Sequence, residues 1–292
     1  PQQEAKSIIE SLIPEEAEIS QIYFDACFSE VIIQCQNPGE AVGRRGANVN
    51  EIRNQTGWIP KVERTPPIFS KSVHDVRSYR NRIADERKKL LKDFGLNIHR
   101  PKRPSSTWVR ITALGSYREV GRACHLVTTN ESRVMVDVGV NIASDTDPMP
   151  YFTAPEALPL EKLDAVVLTH SHLDHAGMLP VLFKYGYRGP VYCTPPTRDL
   201  MLLLQTDYIK VGGAEGKRPA YDMEDIRTCM KHVVDVEWGE TTDITPDIKL
   251  TMSNAGHILG SSALHMHVAD GKHNIVFSLS LIHISEPTRR PI

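Results

Sequence analysis

The stretch T-H-S-H-L-D-H-A-G, residues 169–177, contains three histidines and one aspartate within six consecutive positions. It follows an apolar, valine-rich run of the kind that forms a buried strand, so the polar residues lie where a strand ends. Imidazole nitrogens and a carboxylate at this spacing match the ligands that zinc prefers. The pattern therefore predicts one metal held by His170 and His172, and a second held by Asp174 and His175.

The sequence on both sides of this motif alternates between strand and helix patterns. Strand-like segments precede it at residues 108–114, 124–128 and 132–138, the last ending in Asp137-Val138-Gly139. After it come a helix to Tyr185, a strand at 191–193, a helix at about 197–211 and a strand-rich region at 241–277. We interpret residues 106–278 as an α/β sandwich of sheets and helices.

Residues 1–69 have the predicted element order α-β-β-α-α-β. The helices are expected at about 4–12, 40–42 and 47–56, and the strands at 17–24, 30–35 and 59–64. The two later helices are joined by Gly43-Arg44-Arg45-Gly46, where glycines let a sugar-phosphate backbone approach and arginines supply positive charge. This α+β unit resembles a KH domain of the prokaryotic type, which implies that Gly43, Arg44, Arg45 and Gly46 bind single-stranded RNA.

A basic segment separates the two predicted domains. Residues 70–103 carry eleven Lys or Arg against four Asp or Glu, although the whole chain has a net charge of -2. We expect a basic helix from Ser70 to Phe94 and then a proline-rich linker that ends near residue 105. Such positive charge is typical of a surface that contacts phosphate, and Arg87, Lys88 and Lys89 are the candidates.

The composition restricts the class of protein. A content of 40% hydrophobic and 24% charged residues is typical of a globular protein. No apolar run approaches the roughly 18 residues that a membrane-spanning helix needs. Five scattered cysteines without a C-x-x-C pair indicate neither a disulfide framework nor a thiolate zinc site. We therefore expect a cytoplasmic protein with no membrane partner.

The histidine motif, with Asp137 before it and A-G-H-I-L-G-S at residues 255–261 after it, resembles the metallo-β-lactamase superfamily. Together with G-S-Y-R-E-V-G-R at residues 115–122 and the KH-like segment, it is similar to the archaeal cleavage and polyadenylation specificity factor-like ribonucleases of the β-CASP group. The resemblance implies an αββα sandwich, two zinc ions, His257 as a further ligand of the first ion and Asp137 as a supporting carboxylate.

The same resemblance implies an activity. It is the hydrolysis of single-stranded RNA in mRNA 3′-end processing or transcription termination, with Asp174 orienting the nucleophile. It also allows a homodimer of the full-length protein.

Two features depart from that family's pattern. A family member has a Gly-Asp after the strand expected at 274–278, whereas Leu279 and Ser280 follow here. The β-CASP domain is also absent, so residues 279–292 are predicted to be a non-family, artefactual tail and the chain to be truncated at both ends. We therefore expect this chain to hold closer to one zinc ion than two and to cleave RNA poorly.

Two other functions stay open on the sequence alone. One is an RNA-binding scaffold with an inactive hydrolase-like domain. The other is a small-molecule hydrolase of the metallo-β-lactamase type, against which the basic segment counts. His265 and His267 alternate on a predicted strand and share a face, but no carboxylate motif adjoins them, so they are not assigned as ligands.

Overall fold

The computed structural model describes residues 2–102, 108–144, 146–214, 216 and 218–279. The chain divides into two compact units, residues 1–91 and 92–292. This boundary lies inside the predicted basic linker. No helix among the described residues is long and apolar enough to cross a bilayer.

The first unit combines a three-stranded sheet with helices. Its elements are α1 (Gln2–Leu12), β1 (Ile19–Asp25), β2 (Glu30–Cys35), α2 (Pro38–Val42), α3 (Ala47–Thr56), β3 (Ile59–Arg64) and α4 (Lys71–Arg82). Strand β2 lies in the centre, antiparallel to β1 and parallel to β3. The order of elements expected from the sequence is therefore present, with small shifts at some ends.

The core of the first unit is built on β2. Val31, Ile33 and Cys35 of this strand are fully buried. They belong to one apolar cluster with Ile9 of α1 and Ile52 of α3. Burial of a large aliphatic side chain contributes about 1.5–3 kcal/mol. This cluster therefore holds α1 and α3 against the sheet.

The basic helix expected from Ser70 to Phe94 is in fact two helices. After α4, Ile83 leaves helical geometry with φ -97° and ψ 17°, and α5 (Ala84–Ile98) follows. Arg87 is only 1% exposed, so the prediction that it contacts phosphate is wrong. It lies three residues after buried Ala84, and residues at that spacing share one face of a helix. Lys88 and Lys89 are exposed.

The second unit contains the remaining elements, after the end of α5. They are β4 (Arg110–Gly115), β5 (Cys124–Thr128), β6 (Arg133–Val136), β7 (Ala165–Val167), α6 (Leu173–Ala176), α7 (Leu179–Lys184), β8 (Val191–Cys193), α8 (Pro195–Ala214), α9 (Met223–His232), β9 (Val233–Asp235), β10 (Thr241–Asp243), β11 (Ile248–Asn254), β12 (Ser262–Val268) and β13 (His273–Phe277). The expected helix to Tyr185 is therefore two short helices, α6 and α7.

These strands form two sheets, each in sequence order. Strands β4 to β9 make a six-stranded sheet, parallel from β6 to β9, and β10 to β13 make a four-stranded antiparallel sheet. Val136 and Val167 of the larger sheet share one apolar core with Leu250 and Met266 of the smaller. Alternate residues of β12 are buried in this core, as expected for a strand with one covered face. The predicted two-sheet sandwich is present.

Candidate metal centre and glycine loop

Three loops bring three predicted ligands and the predicted supporting carboxylate to one edge of the sandwich. They follow β6, β7 and β11 and carry, respectively, Asp137, the pair His170 and His172, and His257. The Asp137 N–H donates to the Val167 carbonyl at 3.0 Å, and the Ser262 N–H donates to the Thr169 carbonyl at 2.8 Å. These backbone bonds fix the loops next to one another.

His170, His172 and His257 form a compact group. Their candidate ligand nitrogens all lie within 4.8 Å of one another. His172 Nδ1 is 3.0 Å from His170 Nε2 and 3.3 Å from His257 Nε2. Two nitrogens bound to one tetrahedral zinc ion at about 2.0–2.1 Å are about 3.3 Å apart. The spacing therefore fits a shared ion.

The environment keeps two of these imidazoles neutral. Burial, with the added charge of His175, lowers the pKa of His170 to about 3. Burial and the neighbouring His257 also lower the pKa of His172. A neutral imidazole has the free nitrogen lone pair that a metal ligand needs. The donor set thus fits a divalent transition ion such as zinc.

Asp137 is linked to the histidines through Thr169, a residue that the sequence reasoning missed. The Thr169 hydroxyl lies 2.8 and 3.0 Å from the two carboxylate oxygens of Asp137 and 2.9 Å from His170 Nδ1. Its single proton is donated to the carboxylate, so the hydroxyl oxygen accepts from Nδ1–H of His170. This arrangement leaves His170 Nε2 free as the ligand atom. The one sequence signal was the position of Thr169 at the start of the motif, directly before His170.

The backbone after β6 explains the sequence Asp137-Val138-Gly139. Asp137 has a φ of 58°, a left-handed conformation that aspartate tolerates better than most residues. A Cβ on Gly139 would lie 1.7 Å from the carbonyl oxygen of Asp174. Only glycine therefore permits the close approach of this loop to α6.

Asp174 and His175 lie beside the three-histidine group. His175 Nδ1 is 2.7 Å from Asp137 Oδ2, and His175 Nε2 is 3.8 Å from Asp174 Oδ2. Burial lowers the pKa of His175, but the charge and hydrogen bond of Asp137, with Asp174, raise it overall. Among the described residues, the three histidines are the one group of three or more His, Cys, Asp or Glu side chains close enough to share an ion. A second ion at Asp174 and His175 stays a prediction.

Two further buried residues position the site and were not assigned from the sequence. Ser261 Oγ accepts hydrogen bonds from the N–H groups of His257 and Ile258, both at 3.1 Å. Gln205 of α8 donates from Nε2 to the carbonyl of Ala176, at the end of α6, at 2.8 Å. Ser261 lies in the quoted 255–261 motif, whereas Gln205 lies 29 residues from its partner and gives no local signal.

The predicted RNA loop joins α2 and α3 in the first unit. Gly43 and Gly46 have φ values of 74° and 77°, which residues with side chains rarely adopt. A Cβ on Gly43 would also lie 2.7 Å from Asn48 Cγ. Arg44 and Arg45 are exposed. The loop is an exposed turn with two guanidinium groups, and its binding of RNA stays a prediction.

Two predicted features lie outside the described residues. One is the part of the proline-rich linker at 103–107. The other is the predicted tail at 279–292, of which only Leu279 is described.

Comparison with known proteins gives a family match and named relatives. The match is to the Metallo-beta-lactamase superfamily domain, over residues 126–288. The chain is 53% identical over 272 residues to the transcription termination factor FttA of Methanosarcina mazei, covering 93% of this chain and 43% of that protein. The protein of the same name from Methanothermobacter thermautotrophicus is 47% identical over 272 residues, covering 92% and 43%. The resemblance inferred from the motifs is confirmed, and the chain spans less than half the length of these relatives.

A likeness is also found among solved structures. Rm3 metallo-beta-lactamase is 20% identical with a TM-score of 0.40, covering 66% of this chain and 67% of that chain.

Proposed function

The chain belongs to the metallo-β-lactamase superfamily, and from this premise we propose that it is part of a zinc-dependent ribonuclease that hydrolyses single-stranded RNA. The observation that carries the proposal is the convergence of His170, His172 and His257, whose ligand nitrogens lie within 4.8 Å. The relatives named as transcription termination factors support RNA as the substrate and a role in mRNA 3′-end processing or transcription termination.

The activity is proposed for the complete protein, because this chain covers 43% of the length of those relatives. Within it, we assign the chain two tasks: to hold the metal and to bind the RNA. The cytoplasmic location and the homodimer predicted above are part of the same proposal.

Each side chain at the site has a defined task in this mechanism. His170, His172 and His257 would hold the first ion, and Asp174 and His175 would contribute to a second. Zinc held there would supply Lewis-acid chemistry, namely activation of water near neutral pH and stabilisation of negative charge on the phosphate. Asp174, whose side chain is 40% exposed, accepts a hydrogen bond from the attacking water and orients it.

The supporting residues hold these ligands in place. Thr169 and Asp137 fix the ring of His170 through its Nδ1 atom. Asp137 also holds His175 through Nδ1, which turns His175 Nε2 towards Asp174. These hydrogen bonds fix the positions of the ligand atoms, and fixed ligands favour an ion whose coordination geometry matches them.

We further propose that residues 1–69 are a KH domain that binds single-stranded RNA. The α-β-β-α-α-β order, the parallel pairing of β2 with β3 and the exposed Gly43 to Gly46 turn support this assignment. Lys88 and Lys89 of α5 are exposed and would add affinity for phosphate that does not depend on the RNA sequence.

The proposal is tested by incubating the purified chain and zinc with end-labelled single-stranded RNA, duplex RNA and a β-lactam. We expect slow cleavage of the single strand alone, abolished by His172→Ala and unchanged by the control His99→Gln, which alters an exposed histidine outside the site. RNA binding with no cleavage by the zinc-loaded complete protein would favour the scaffold. Hydrolysis of the β-lactam without RNA binding would favour the small-molecule hydrolase.

A further inference from the structure

We propose that His265, His267 and Asn274 form a separate binding site for a divalent transition ion on the outer face of the four-stranded sheet. The site shares no residue with the group of His170, His172 and His257. It stands on geometry and donor chemistry alone and does not depend on the ribonuclease proposal.

The strand period places both histidines on the outer face. They lie two residues apart on β12, and Met266 between them is fully buried in the core. Successive side chains of a strand point to opposite faces, so His265 and His267 point away from that core. Asn274 of β13 is the direct partner of His267 in the antiparallel pairing, so its side chain lies on the same face.

The three side chains converge on one point. His265 Nε2 and His267 Nδ1 each lie 3.1 Å from the same atom, Asn274 Oδ1. The two ring centroids are 3.9 Å apart. Each nitrogen is therefore about as far from the amide oxygen as two ligand atoms of one ion are from each other, and the two rings lie side by side. Both contacts are solvent-exposed, so an ion and its remaining water ligands can enter.

This donor set selects a class of ion. Imidazole nitrogen suits zinc, nickel and copper, whereas calcium and magnesium take oxygen ligands almost exclusively. Thr251 Oγ1 lies 3.2 Å from His267 Nε2, the ring nitrogen that faces away from Asn274. A hydrogen bond at that nitrogen orients the ring, as partners of metal-bound histidines do.

The neighbouring charges are compatible with a cation. Lys249 is paired with His267 across β11 and β12, but its ammonium group lies 3.5 Å from Asp243 Oδ1. His273 is paired with Val268, whose side chain is in the core, so it does not extend the outer row. None of the three proposed donors is a carboxylate or a thiolate. We therefore expect weaker binding here than at the three-histidine group.

The test is a zinc titration of the chain that has first been loaded with one equivalent of zinc. Calorimetry should show a further equivalent, and nitrogen-15 spectra of the histidine rings should show the His265 and His267 signals shifting together, which assigns that equivalent to this site rather than to Asp174 and His175. His267→Gln should weaken the affinity for this further zinc ion at least about tenfold. Loss of a residue that only supports a metal ligand already lowers metal affinity by about 10- to 100-fold, so loss of a ligand should cost no less than the lower figure. His273→Gln, a change on the next strand, should leave it unaltered.

A second variant distinguishes lost binding from lost folding. Asn274→Asp places a carboxylate oxygen where the amide oxygen lies, so it should raise the affinity of this site for zinc by about tenfold. A misfolded chain would not bind more tightly. Histidine signals at 265 and 267 that do not respond to zinc would overturn the proposal. So would an affinity that is the same in the original chain, His267→Gln and Asn274→Asp.

Discussion

Replacing Thr169 with valine removes one hydroxyl group and keeps the size and branching of the side chain. Thr169 is 3% exposed, so water does not readily replace the lost group. Its hydroxyl lies 2.8 Å from Asp137 Oδ2 and 2.9 Å from His170 Nδ1. The variant therefore breaks the link between the buried carboxylate and the first candidate ligand without touching the ligand itself.

The structure allows the size of the effect to be worked out. Asp137 keeps the hydrogen bond from the Thr169 N–H at 2.8 Å but loses the hydroxyl, and a hydrogen bond to a charged group contributes about 1.5–3 kcal/mol. His170 Nδ1 loses its acceptor, which costs about 1–3 kcal/mol for a buried group. Because the two losses share one hydroxyl, we expect the free energy of unfolding to fall by about 2–4 kcal/mol. Zinc affinity should fall by about 10- to 100-fold.

The assay pairs urea unfolding with zinc competition against a coloured chelator. Thr169→Ser is the matched control, because it keeps the hydroxyl and loses only a methyl group. It should bind zinc nearly as tightly as the original chain. If Thr169→Val and Thr169→Ser bind zinc equally well, the hydroxyl does not orient His170 and the proposed support is refuted.

The other predictions concern RNA and metal content. Changing Arg44 and Arg45 together to Asp should weaken binding of single-stranded RNA in a filter assay at fixed salt, and unchanged affinity would contradict the KH assignment. Changing Lys88 and Lys89 to Gln should flatten the slope of log affinity against log salt by up to about one unit per lost contact for every RNA, so a loss limited to one sequence would count against it. After dialysis the chain should retain about one zinc ion and His172→Ala close to none; two tightly held ions in the original chain would contradict the ligand assignment.

The sequence could predict those parts of the site that depend on local spacing. His170 and His172 follow one strand and lie two residues apart, so their grouping needs no knowledge of the tertiary fold. His257 lies 85 residues from His172 and entered only through the family resemblance. Thr169 and Gln205 were missed because their roles arise from contacts with distant residues, which neither periodicity nor composition records.

Arg87 shows why a charge count overestimates a binding surface. The excess of basic residues at 70–103 is real, but Arg80 and Arg87 are 4% and 1% exposed. Val76 and Arg80 lie four residues apart in α4, and Ala84 and Arg87 lie three residues apart in α5, so each arginine shares the buried face of its own helix. A count of charges along the chain does not distinguish an arginine on the buried face of a helix from one on the exposed face.

The candidate metal centre lies where the two sheets of the sandwich meet, and this couples its formation to the packing of the second unit. His170 and His172 follow β7 of the larger sheet, whereas His257 precedes β12 of the smaller. The Ser262 N–H donates to the Thr169 carbonyl at 2.8 Å, which joins the two sheets beside the site. A ligand that binds only the folded chain stabilises it by about 4 kcal/mol at a thousandfold excess over its dissociation constant. Since the three nitrogens converge only when both sheets are packed, an ion bound there would stabilise the sandwich as a whole.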